Sequence, residues 1–248
     1  MAVPVGRGRK AGAGASAARR GRQQRAAEVA RQHRLGRWVL PGAALPTLGV
    51  GLWAASVGGA AWFGAVVALS LFVRVVWLVY RPGRNSWRVG ATGERRTARL
   101  LAPLERRGWV LLHDRSIPGS RANLDHLVLG PPGVVYVDTK LWASEKSRLQ
   151  LRDGTLWYGR YPQDRALRTV EWEAGLAAVA LGVPVRAVVA VHGAAVPGGV
   201  LRLGDVMVLP AKQLRRYLRD LQPERGMDDA RLRQLAARAA VAFPPYRP

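Results

Sequence analysis

The chain has 248 residues, with 39 Lys or Arg against 16 Asp or Glu and a net charge of +23. That length holds one or two domains, and that charge points to phosphate-bearing partners, either nucleic acid or an anionic membrane surface. There is no cysteine, which excludes disulfides and Cys-ligated metal sites, and the four histidines (His33, His113, His126, His192) lack metal-ligand spacing.

Residues 1–37 carry ten Arg or Lys against the single acid Glu28, spread among Gly, Ala, Ser and Gln. Nothing there can build a core, so the segment reads as a disordered basic arm with room for a short helix near 23–35. Its charge is read as fixing membrane orientation rather than as a dedicated nucleic-acid tail.

From Val39 to Val73 no residue is charged. One membrane crossing takes roughly 20 apolar residues, so this run predicts two spans, near 38–57 and 60–80, forming a transmembrane helical hairpin over 38–81 that turns at Gly58-Gly59. Arg74 snorkels near the end of the second span, and Trp38, Trp77 and Tyr80 sit where interfacial aromatics belong. Arg31, Arg34 and Arg37 precede the first span; Arg81, Arg84 and Arg88 follow the second. By the positive-inside rule both termini are cytoplasmic and the protein lies in the cell membrane. A signal peptide would have a shorter basic region, and a buried helix pair of a soluble protein would rarely run so long without a charge.

After Pro82-Gly83 the composition becomes that of a globular domain, read as 88–195 with 196–248 completing it. The pattern predicts a helix at 92–106 and strands at 109–113, 124–129 and 133–139. Strand-like segments follow at 149–152 and 155–158 around the turn Asp153-Gly154. Then come a helix at 164–181, a strand at 185–191, a short strand at 205–209, and helices at 211–221 and 228–242. This order is α/β.

The stretch LDHLVLGPPGVVYVDTK (124–140) reads as a hairpin. If GPPG is the loop and Leu129 faces Val134, Asp125 stands opposite Asp138 with Cβ atoms about 5 Å apart. Lys140, two residues on, shares their face. Two carboxylates so placed repel by roughly 3 kcal/mol at an effective dielectric near 20. A divalent cation relieves that, and Mg²⁺ is commonly held by one or two carboxylates with water and substrate phosphate. A lysine beside it could position or deprotonate a water and stabilise charge on phosphorus. The competing reading is that Lys140 merely bridges two surface aspartates. A one-residue slip would separate the aspartates altogether.

These residues resemble a known family. Gly90-Ala91-Thr92-Gly93-Glu94, Leu111-Leu112-His113-Asp114, Leu124 to Leu129, and Gly133 to Lys140 look like the nuclease-related domain (NERD) family over roughly 88–195. That family looks like a branch of the PD-(D/E)xK restriction-endonuclease-like superfamily. The resemblance implies a restriction-endonuclease-like domain, a mixed sheet flanked by helices, in a membrane-anchored bacterial member. It implies Asp125 and Asp138 as metal ligands, with Thr139 lending its carbonyl, Lys140 as the catalytic lysine, and Glu94 as the helix-borne acid. Leu124 and Asp138 depart from the more usual Ile and Glu. On the helix at 164–181, Gln163, Arg165 and Glu171 are candidates for a further polar position.

Glu94 is equally a first-turn acid favoured by the helix dipole. His126 alternates to the face opposite Asp125 and reads as structural, and His113-Asp114 as part of a turn. Trp142 and Trp157 read as packing residues, although aromatics beside a basic groove can stack bases. Arg95, Arg96, Arg99, Arg106 and Arg107 suit either a phosphate groove or a solvated surface. Lys212, Arg215, Arg216 and Arg219 fit an amphipathic surface helix. The expectation is a membrane-anchored, Mg²⁺- or Mn²⁺-dependent nuclease acting on nucleic acid, DNA first. The alternative is a non-catalytic membrane-bound module that binds nucleic acid or protein.

Overall fold

The computed structural model describes residues 12–58, 60–81, 86–120, 122–142 and 148–246. They form two compact units: residues up to Arg19 together with Trp87 onward, and Arg20–Ser86. The Gly59 half of the expected turn, the Pro82-Gly83 boundary, Arg84 and residues 1–11 of the arm lie outside the described residues.

Arg20–Ser86 is built on two helices. The first, α1 (Ala15–Gly58), is followed by α2 (Ala61–Tyr80). Both are long and apolar enough to cross a membrane. Their apolar side chains point outward, Leu45 being 78%, Leu52 74% and Trp62 71% exposed. They approach each other through small residues. A Cβ on Gly51 would lie 2.6 Å from the Ala68 Cβ, and one on Gly64 would lie 2.7 Å from the Ala55 Cβ. The pattern Gly51-x₃-Ala55 against Gly64-x₃-Ala68 is the small-residue contact that lets helix backbones meet in lipid. Arg74 stacks on Trp77 at 4.5 Å, pairing a cation with an aromatic ring suited to a membrane interface. The expectation of a disordered arm through residue 37 is corrected from Ala15 on. Ala, Arg and Gln dominate there, and all are strong helix formers that continue directly into the apolar run.

The globular unit is α/β. After α3 (Ser86–Leu101) and a 3₁₀ turn (Ala102–Arg107) come β1 (Val110–Ser116), β2 (Asn123–Gly130) and β3 (Gly133–Leu141). Next are three short strands, β4 (Leu149–Arg152), β5 (Thr155–Tyr158) and β6 (Tyr161–Pro162), then α4 (Asp164–Leu181) and β7 (Val185–His192). The chain continues through β8 (Leu201–Leu203), β9 (Val206–Pro210), α5 (Ala211–Asp220) and α6 (Asp229–Ala242). A six-stranded mixed sheet runs β1-β2-β3-β7-β9-β8, parallel at β3/β7 and β7/β9, antiparallel elsewhere. Strands β4, β5 and β6 form a small separate sheet.

Each face of the large sheet has its own core. Leu127, Leu129, Val134 and Tyr136 pack with Leu167, Val170, Ala174 and Ala177 of α4 and Leu232 and Leu235 of α6. Val128, Val135, Val137 and Val188 pack with Leu101, Leu104 and Leu214 on the other side. Burial on both faces explains why GVVYV reads as an unbroken apolar run.

Two boundaries differ from expectation. The helix expected at 92 begins at Ser86. Gly90 and Gly93 lower its local propensity, but Gly93 sits where α3 presses on β3. The strand expected to end at His113 runs on to Ser116, so His113 and Asp114 lie within β1 and not in a turn. Asp114 is fully buried at φ +52°, a left-handed backbone that Asp tolerates better than most residues. Its carboxylate accepts from the Ser16 and Asn123 nitrogens at 2.7 and 3.4 Å. At two and three residues, β6 and β8 are too short to carry a readable alternation in the sequence.

Candidate active site

The hairpin register is the one the sequence predicts: Leu129 pairs with Val134 and His126 with Val137, and Gly130 opposite Gly133 leaves Pro131-Pro132 as the turn. The β2/β3 ladder stops at His126, whereas β2 stays paired with β1 through Leu124 and Asn123. The strands therefore fork just where Asp125 and Asp138 sit. Across the fork the Thr139 N–H donates to Asp125 Oδ2 at 3.0 Å, replacing the next backbone rung. In an antiparallel strand a residue's N–H and C=O point to the same neighbour, so the Thr139 carbonyl faces the fork as well.

Asp138 is buried, and both of its oxygens lie 2.9 Å from Lys140 Nζ. Burial acts to lower the Lys140 ammonium pKa, but Asp138, Asp125 and Glu173 more than offset it, leaving the value above that of an ordinary lysine. Lys140 is therefore a cation at neutral pH.

Glu94 reaches the same cleft from α3. That helix is held close because a Cβ on Gly93 would be only 3.1 Å from Thr139 Cγ2 and 3.2 Å from Leu141 Cβ. A hydroxyl chain fixes it further: Thr139 Oγ1 donates to Thr97 Oγ1 at 2.9 Å, and Thr97 Oγ1 meets His192 Nε2 at 2.8 Å. Burial, then Asp114 and Asp138, push the Glu94 carboxyl up to about 7, against the opposing pull of the Gly14 backbone and Lys140. Asp125 is raised well above the usual range, first by burial and then by Glu94 and Asp138. The cleft thus gathers more carboxyl groups than Lys140 alone can keep ionised.

Glu173 of α4 belongs to this cleft too, and the sequence reading missed it. It is buried, and Tyr136 Oη donates to its Oε2 at 2.7 Å. Burial raises it to about 7, the Tyr136 hydrogen bond opposes that, and Asp138 adds to it. The signal was present: Glu173 lies three residues past Val170 and four before Ala177, on the apolar stripe of α4, where a carboxylate is out of place. Of the candidates named for that helix, Arg165 and Glu171 are exposed and Gln163 precedes its first turn.

His126 faces away from the carboxylates. It is buried, and its Nδ1 lies 2.8 Å from that of His113. Burial, His113 and His192 hold its pKa well below 6.5. Trp142 stacks on Tyr158 at 5.4 Å beside the core, whereas Trp157 is half-buried on the outer side of the small sheet.

Among the described residues no set of three or more His, Asp and Glu side chains is grouped to hold a metal by itself. The donor set nonetheless suits a hard cation. Among the described residues buried Glu94 Oε2 has no hydrogen-bond partner and Asp138 Oδ2 meets only the Lys140 ammonium, and carboxylate oxygen is the ligand type of Mg²⁺.

Residues 89–192 match the family model described as nuclease-related domain (NERD), a stretch running from α3 to the end of β7 and containing all five cleft residues. No curated protein and no solved structure matches the chain.

Proposed function

We propose that the protein is a membrane-anchored nuclease that hydrolyses phosphodiester bonds of nucleic acid, DNA in the first instance, at the cytoplasmic face. The observation that carries this reading is the convergence of Glu94, Asp125, Asp138 and Lys140 at the β2/β3 fork, within a nuclease-related domain. A restriction-endonuclease-like arrangement accounts for that fork, and α1 and α2 serve as the membrane hairpin.

Asp125 and Asp138 would hold Mg²⁺ or Mn²⁺, with the Thr139 carbonyl and Glu94 completing the oxygen set. Such an ion, when bound, supplies charge neutralisation on phosphate and a more acidic water. The chain's own residues do the rest. Lys140, kept protonated by Asp138, sits ready to stabilise negative charge developing on a phosphoryl oxygen; it is a poor proton acceptor in this state. Glu94, poised near 7, can take a proton from water at the cleft once ionised. Glu173 and Tyr136 support Lys140 from the α4 side.

One observation favours the second reading, a non-catalytic membrane-bound module for nucleic acid or protein. The two aspartates already have partners, in Thr139 and Lys140. The full chain in detergent, incubated with plasmid or single-stranded DNA and Mg²⁺, separates the two. Cleavage lost in Lys140→Ala supports the nuclease; salt-sensitive binding without cleavage in Mg²⁺ or Mn²⁺ supports the module.

A further inference from the structure

Lys140 and Trp142 stand two residues apart on one face, so at about 3.3 Å rise per residue their Cα atoms are roughly 7 Å apart. Trp142 stacks on Tyr158 of β5, which seats the small sheet at the rim of the cleft. One face of that sheet sends Leu149 and Leu156 into the core. The other face carries Gln150 opposite Trp157, with the Arg152 guanidinium over the Trp157 ring at 5.5 Å. Gln150 Oε1 accepts from Arg152 Nε at 3.0 Å, which holds the guanidinium in place. Arg160 stands over Tyr161 at 5.5 Å, but Tyr161 is paired with Tyr158 and so belongs to the other face, leaving Trp157 and Arg152 as the aromatic–cation pair of the outer one. From 148 to 162 the only acid is Asp153, against Arg148, Arg152 and Arg160.

Aromatic faces next to cations suit a chain that offers flat rings and phosphates together. Unpaired bases expose both faces; a duplex hides them within its stack. We propose that the outer face of β4–β6 seats a single strand of nucleic acid and leads it to the cleft, so that the protein takes unpaired strands in preference to duplex. The binding claim rests on this face alone; only the delivery to the cleft rests on the nuclease reading.

The test is fluorescence anisotropy of the full chain in detergent with EDTA present. The probes are a labelled oligothymidine of about 20 nucleotides, longer than a site of this kind, and a duplex of equal length. The single strand is expected to bind more tightly than the duplex. Trp157→Ala is expected to weaken the strand roughly 5- to 100-fold, the range for loss of one stacked base, with the duplex within about twofold. Trp157→Phe should retain most of the affinity, and Arg152→Gln should lose about fivefold with a shallower salt dependence. If Trp157→Ala loses its cooperative melting transition, Arg152→Gln and Trp157→Phe carry the decision. Equal affinity for the two probes overturns the proposal, as does unchanged strand binding in Arg152→Gln and in a folded Trp157→Ala. Strand binding through Trp157 without Mg²⁺-dependent cleavage would remove the nuclease reading and leave this surface standing. Cleavage with strand affinity indifferent to Trp157 would do the reverse.

Discussion

Asp125 Oδ2 accepts the backbone N–H of Thr139 at 3.0 Å, and this one bond spans the gap where β2 leaves β3. It holds a carboxylate inside the sheet's fork, beside Asp138 and Glu94, at the cost of charge repulsion. A metal-free cleft of this kind is strained, and relieving the strain should stabilise the fold. Asp125→Asn keeps an oxygen for the Thr139 N–H while removing the charge. At pH 8 in EDTA its thermal midpoint should rise by a few degrees, on the order of 1 kcal/mol.

The same repulsion predicts a response to metal. A cation that binds only the folded state raises the midpoint, and protons on Glu94 compete with it because that carboxyl is poised at about 7. Mg²⁺ should therefore stabilise the wild type more at pH 8 than at pH 6. Asp138→Asn should abolish the response. Differential scanning fluorimetry across a Mg²⁺ series checks both.

Glu173 gives a pH signature of its own. Its carboxyl titrates at about 7 when folded and near 4.5 when unfolded, so the neutral form stabilises the fold below 4.5 and that contribution is lost as pH rises through 7. Measured against Glu173→Gln, which cannot ionise, wild-type stability should fall between pH 4.5 and 7 and then level off. The full change is about 3 kcal/mol. A flat difference would place Glu173 in a more hydrated setting than the Tyr136 contact implies.

The docking of α3 predicts a positional effect. Gly93→Val would drive methyl groups into Thr139 and Leu141, and Thr97→Val would break the hydroxyl chain from Thr139 to His192. Thr97→Val should cost about 1–2 kcal/mol, the value of a buried hydrogen bond left unmade. Gly93→Val should cost more and displace Glu94, so Mg²⁺ stabilisation falls in that variant though every cleft residue is intact.

The fork was only partly legible in the sequence. The pairing of Leu129 with Val134 followed from two apolar runs joined by the short Gly-Pro-Pro-Gly connection, whose length fixes the hairpin register. That pairing told which side Asp125, Asp138 and Lys140 share. Where the ladder stops was not readable, since a strand's end depends on what competes for its last N–H, here a side chain of the neighbouring strand. Asp114 was read as a turn because His-Asp after an apolar run looks like punctuation; burial with Ser16 and Asn123 overrides that local signal. Glu173 is legible in the sequence as a charge on the inner stripe of α4. The helical stretch before residue 37 was missed because composition alone favours solvation there, whereas continuity with an apolar helix favours the turn already nucleated.

The membrane reading is testable because the chain has no cysteine. Single cysteines placed near Ala15 and in the exposed loop at Arg225 should both be shielded from an impermeant maleimide in intact cells and label after lysis. Labelling of either in intact cells would reverse or break the proposed topology.

The most direct measurement is an anomalous difference map from crystals of the full chain soaked in Mn²⁺. The proposed metal site should give one peak in the fork, bonded to oxygens of Asp125 and Asp138 with Glu94 and the Thr139 carbonyl alongside. No peak there at saturating Mn²⁺, or a peak only at the histidines on the opposite face of the sheet, would contradict it.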